Sequence, residues 1–217
     1  MAIDSTAPAH PAGLRETKKQ ETRQLISDHA TRLFLSQGFE RTTIAEIAVA
    51  ARVAKKTVTN YFPRKEDLAL DHQDAFVESL ARTVAARQAG ESALAALRRD
   101  FVEAVETADP VSGFSGPDFA RMVADSPALV VCLRGLHDQR ERALAEALAE
   151  AVGAAPDDIT VQTVAGLLGT AHRILFQRIQ DLTLAGRSQT EIARIVTEEA
   201  EAAFGLLEPA LGDYAVA

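Results

Sequence analysis

The chain has 217 residues, 47% of them hydrophobic and only 5% aromatic, which allows one large or two modest cores and favours helices over sheets. A single cysteine, Cys132, excludes an internal disulfide framework and a cysteine-rich metal site. No apolar run is long enough to span a membrane, and the first residues lack the basic start and apolar stretch of a secretory signal, so the cytoplasm is the expected location.

The net charge of -8 is unevenly spread. Through Leu70 there are 11 Lys and Arg against 8 Asp and Glu, which leaves 12 against 23 for the rest. Lys18, Lys19, Lys55, Lys56 and Lys65 all fall in the first part. The pattern suggests a small basic module joined to an acidic body.

In chain order, residues 1–13, rich in Ala and Pro, read as a mobile tail. The spacing of Ile26, Ala30, Leu33 and Phe34 predicts a helix over 14–37, stopped by Gly38. Thr43 and Glu46 fit a capping box that opens a short helix ending near Ala50. A tight turn, 51–53, leads to another short helix over 54–61. Pro63 interrupts, and one long helix is expected over 64–88. Further helices are expected over 91–107, 117–124, 127–152, 157–185 and 188–207. Gly, Pro and Ser mark 109–116 as a loop. No alternating run suggests a strand. The expected fold is all-α: a three-helix N-terminal helix-turn-helix domain (14–63) followed by an antiparallel helical bundle (64–217), about nine helices in all.

The informative segment is 43–62. Ile44, Ile47, Ala48 and Ala51 share one face of the first short helix, and Val53 and Val58 supply matching contacts. Ala48 is small where two helices must cross closely, as a helix-turn-helix requires. The exposed side of the second helix would carry Lys55, Lys56, Thr57, Thr59 and Asn60, with Tyr61 at its end. Lys can donate to guanine, Thr can offer its methyl to thymine, and Asn can pair with adenine. Lys and Tyr also bind phosphates, which position without reading sequence. The same spacing would also serve an ordinary helical hairpin with a solvated polar face.

The run 42–48 (TTIAEIA), followed by 53–68 (VAKKTVTNYFPRKEDL), resembles the N-terminal domain of the tetracycline-repressor (TetR) family. Residues 30–34 and 37–39 match that family's first helix and its end, so the resemblance spans about 22–70. It implies that Thr42 or Thr43 touches a phosphate, that Lys55, Lys56, Thr57 and Asn60 face base edges, and that Thr59 and Tyr61 hold the DNA backbone. It implies a further phosphate contact for Lys65. Arg15, Lys18 and Lys19 could reach along the DNA. Arg52 stands where the family usually has Gly, at a position that often needs a positive φ.

Beyond the first domain the resemblance assigns no residues. Candidates for a small-molecule pocket are His72, Phe76, Phe101, Phe119, Met122, Arg134, His137, His172 and Phe176, with Arg121 beside them; polar groups in an apolar bundle orient such ligands. The histidines lack the close paired spacing of a zinc site, so no metal and no cofactor is expected. Val161, Val164, Ala165, Leu168 and Leu175, with Ile192, Ile195, Val196, Ala203 and Phe204, form apolar stripes that could meet a second copy in a four-helix bundle or close the monomer's own core. No nucleophile elbow, phosphate loop or carboxylate pair suggests an enzyme. The expectation is a homodimeric repressor that binds a palindromic operator in double-stranded DNA, is released by an unknown small-molecule effector, and has no membrane partner.

Overall fold

The computed structural model describes residues 11–217, with side chains from Arg15 onward. The expected tail lies largely outside the described residues. Its last three positions belong to the first helix, α1 (Pro11–Gln37). The described residues form ten α-helices and a 3₁₀ turn, with no strand, in two compact units divided at Asp71 and His72.

In the first unit, α1 is followed by α2 (Ile44–Ala50), α3 (Lys55–Tyr61) and α4 (Lys65–Ala69). Gly38 ends α1 at φ 90°, a conformation that suits a residue without a Cβ. Ile26, Ala30 and Phe34 of α1 are buried, as are Ile47 and Ala48 of α2, Val58 of α3 and Leu68 of α4. Phe39 and Phe62 fill the spaces between them.

The second unit contains α5 (Gln73–Ala85), α6 (Ala93–Thr107), the 3₁₀ turn Pro110–Ser112, α7 (Pro117–Ala124), α8 (Pro127–Val152), α9 (Ile159–Leu184) and α10 (Gln189–Leu211). Side-chain caps fix many of these starts: Ser92 accepts from the N–H of Ala95, Ser126 from Leu129, Asp158 from Thr160 and Val161, and Ser188 from Glu191. The core joins Leu94, Leu97 and Phe101 of α6, Leu144 and Leu148 of α8, Leu168 and Leu175 of α9, and Val196 and Phe204 of α10. Gly169 lets α9 approach α8, since a Cβ there would lie 3.3 Å from the Glu141 side chain.

Two expectations are corrected. The long helix over 64–88 is two helices, α4 and α5. The chain leaves helical geometry at Leu70 (φ -114°, ψ 50°), where the Leu70 side chain is buried and the Asp71 carboxylate accepts the Ser27 hydroxyl. The stripes expected to meet a second copy also face inward. Val161, Val164, Ala165, Leu168, Leu175, Ile192, Val196 and Phe204 are buried in the monomer's own core, and Ile195 packs against it. Ala203 is half-buried. Twelve residues of α9 are buried in the single chain, so its apolar positions are mostly spent on the fold.

Candidate DNA interface and ligand cavity

The helix-turn-helix is built on α2. The Thr43 hydroxyl accepts from the N–H of Glu46 at 3.2 Å, and the Glu46 carboxylate accepts from the N–H of Thr43 at 2.8 Å. The Thr43 hydroxyl also donates to that carboxylate at 2.8 Å, and this bond, then the one from the Thr43 N–H, holds the Glu46 carboxyl below its ordinary range. The turn keeps helical pairing as far as it can: Ala51 donates to Ile47 at 2.9 Å and Val53 to Ala48 at 3.0 Å. Arg52 between them sits at φ 54°, the positive φ expected of the site, and its side chain is exposed.

On α3, Val58 is fully buried while Lys55, Lys56 and Asn60 are exposed and Thr57, Thr59 and Tyr61 are half-buried. One face is therefore anchored and the opposite face carries cationic and amide donors. The Thr59 hydroxyl donates to the Lys56 carbonyl at 3.1 Å. Arg23 of α1 braces the end of α3, donating to the Tyr61 carbonyl at 3.3 Å and lying 4.4 Å above the Phe62 ring.

Two further positions fall out differently from their expected roles. The Thr42 side chain is 1% exposed and its hydroxyl donates to the Gly38 carbonyl, so of the two threonines Thr43 alone presents an exposed side chain. The Lys65 ammonium donates to the carbonyls of Phe39 (2.9 Å), Glu40 (3.4 Å) and Thr42 (3.3 Å) and lies 4.2 Å above the Phe39 ring. An ammonium has three donors, so here they close the α1–α2 connection. Arg15, Lys18 and Lys19 are exposed on α1.

In the second unit a small cavity of about 30 Å³ lies among Phe101, Arg140, His172 and Phe176, walled on one side by Asp109, Val111 and Ser112. Arg140 is 4% exposed. Its guanidinium lies 4.4 Å above the Phe76 ring, and burial pushes its pKa down to about 10. Phe76, His137 and Phe176 pack edge to face, with centroids 5.0–5.7 Å apart. His172 packs edge to face on Phe101 and at a tilt on Phe204. Burial, then the charge of Arg140, lowers both His137 and His172 to about 3, so both are neutral at pH 7.

A second opening, a cleft of about 370 Å³, is lined by Arg134, His137, Arg173, Ile174 and Gln177 and by apolar residues of α7, α8 and α9. The expected pocket residues are thus divided. Phe101, His172 and Phe176 line the cavity, Phe76 stands beside it, and Arg134 and His137 line the cleft. Met122 is buried and Phe119 half-buried on α7, lining neither opening, and His72 is exposed at the start of α5. Arg121 is exposed on α7. Arg140 was missed, because an Arg within a run of charged residues on a long helix reads as solvated.

The sequence matches the family model described as bacterial regulatory proteins, tetR family, over residues 26–71. It is 31% identical over 151 residues to the HTH-type transcriptional regulator TcmR of Streptomyces glaucescens, covering 67% of each chain. It is 48% identical over 56 residues to the HTH-type transcriptional regulator AcrR of Shigella flexneri, covering 25% of this chain and 26% of that one. Among solved structures, a TetR-family transcriptional regulator from Syntrophomonas wolfei superposes with a TM-score of 0.57 at 20% identity, covering 87% of this chain and 98% of the other. The complex of SmeT with triclosan superposes with a TM-score of 0.54 at 17% identity, covering 85% and 91%. At these identities the structural matches speak for the fold.

Proposed function

The chain belongs to the tetR family of bacterial regulatory proteins, DNA-binding transcriptional regulators, and from that membership we propose that it is a homodimeric repressor that binds a palindromic operator and leaves it when a small molecule enters the second unit. The observation that carries the reading is α3: seven residues held by Val58 against α2, with Lys56 and Asn60 exposed on the opposite side and Lys55 exposed in its first turn. A major groove admits one such helix. In a dimer, two copies of α3 about 34–36 Å apart would meet successive major grooves on one face of the duplex. Thr43 at the start of α2 and Tyr61 at the end of α3 would contact phosphates. No step of this reading requires turnover of the small molecule.

The partner-facing surface has to be built from apolar residues that the monomer leaves exposed. Midway along α9 these are Leu167 and Ile174, two turns apart on one face, with Ile159 and Leu184 at its ends, and on α10 Leu206, which is 82% exposed. The cleft beside Ile174 lies along this surface and is read as part of it, which leaves the inner cavity to the effector. SmeT, a neighbour in fold, was solved with triclosan, which supports a small-molecule site in this class of helical body. Coupling between the two sites must be reciprocal: the factor by which the effector weakens operator binding is the factor by which the operator weakens effector binding.

The test is selection of bound genomic fragments with the purified protein, followed by affinity measurements on the recovered operator at several salt concentrations. The double variant Lys55→Ala/Lys56→Ala should weaken binding at least tenfold while circular dichroism and oligomeric state stay unchanged. Affinity should also fall steeply with salt. Unchanged affinity in the double variant would remove α3 as the reading element.

A further inference from the structure

The interior of the second unit holds a cation with no counter-ion. Buried guanidinium groups are ordinarily matched by a carboxylate. Among the described residues none is paired with Arg140, and the Phe76 ring is its close companion. Two acids, Asp100 and Asp109, line the same cavity, but neither forms an ion pair with Arg140, and the Asp109 carboxylate accepts from the N–H of Val111 at 3.0 Å. The Nε2 atom of His172, also at the cavity, is buried without a partner. An unpaired guanidinium and an unpaired imidazole nitrogen therefore converge on one small space between Phe101 and Phe176.

Resting on the reading that the second unit responds to a small molecule, we propose that this cavity receives the acidic group of an organic anion, with Arg140 as its counter-ion. Arg140 is the only cationic side chain lining the cavity, since His172 stays neutral. The planar guanidinium fork suits a carboxylate, to which it can donate two parallel bonds. The cavity's 30 Å³ holds about two water molecules, roughly the bulk of one carboxylate. The apolar body of the anion then has to displace part of the wall. The segment placed to yield is 109–116, which supplies Asp109, Val111 and Ser112. Among the described residues one side-chain hydrogen bond reaches it from outside, from Gln180 to the Gly113 carbonyl, and Phe114 packs on the core. Ala108 and Gly113, at φ 52° and 117°, flank the 3₁₀ turn within it.

The experiment uses the full-length chain with acetate, benzoate and 1-naphthoate, each against its neutral primary amide, read by calorimetry and thermal melting. At least one carboxylate should bind ten times more tightly than its amide. Arg140→Met should erase that preference and, with nothing added, raise the melting temperature, because an unpaired buried charge is removed. Arg140→Lys keeps the charge but loses the fork and should retain part of the preference. Equal binding of acids and amides, binding of neither, or a preference that survives Arg140→Met would overturn the proposal. So would a lowered melting temperature in Arg140→Met, which would mark the guanidinium as structural. Operator affinity measured on the same samples separates the two readings. Release by amides but by no acid would sink the anion site alone, whereas an acid that binds without affecting DNA would sink the regulatory reading alone.

Discussion

Arg52 and Lys65 show how single side chains shape the DNA-binding unit. Arg52 occupies the left-handed region at φ 54°, which costs a residue with a Cβ about 1–2 kcal/mol. Arg52→Gly should therefore raise stability by about 0.5–1 kcal/mol after allowing for the freer unfolded chain, read as a shift in urea midpoint. A lowered midpoint would mean that the guanidinium makes a compensating contact. Lys65 works in the opposite sense. Its ammonium gathers three carbonyls from the α1–α2 connection. Lys65→Ala should destabilise the fold by about 1–3 kcal/mol, whereas Lys55→Ala should leave stability nearly unchanged. Equal effects at the two positions would contradict the clamp.

Capping chemistry governs the elements. Thr43→Ala should cost about 1 kcal/mol. The Glu46 carboxyl is held low by its bonds to Thr43, so this pair stabilises the fold above the ordinary carboxylate pKa and loses that contribution as pH falls below it. Wild type and Thr43→Ala should accordingly converge in stability on acidification; a constant gap would show that the carboxylate plays no part. Caps of this kind are why most helices were legible in the sequence. Thr43, Ser126 and Ser188 announce starts, and Gly38 and Gly153 announce ends at positive φ. The break at 70–72 carries no such sign. Neither Gly nor Pro stands there, and the helix is interrupted because Leu70 and Asp71 find tertiary partners, which periodicity cannot show.

For the whole molecule, the boundary of legibility runs between local and long-range chemistry. The exposed face of α3 could be read from spacing because Val58 alone fixes its orientation. The apolar stripes of α9 and α10 could not be apportioned between a partner and the monomer's core, since both draw on the same residue types. The exposed remainder now makes a definite claim. Ile174→Glu combined with Leu206→Glu should yield a folded monomer in sedimentation and a large loss of operator affinity; a dimer that persisted would place the interface elsewhere. Buried His172 and half-buried His137 set a pH limit on the second unit. His137 and His172 titrate near 3 in the folded chain and near 6.5 when unfolded. Between those values the unfolded chain binds more protons, so stability falls as pH drops from about 6.5 towards 3. Urea midpoints across this range should decline, and His172→Phe should flatten the decline.

The shortness of α3 has one more outcome. Seven residues cannot sustain a helix by themselves, its first turn has no side-chain cap, and Val58 is its one buried residue. Its amide protons should exchange with solvent sooner than those of the central turns of α1. If α3 reads base pairs as proposed, the reading element is then softer than the long α1, free to settle into operators of slightly different shape and to stiffen once it has done so.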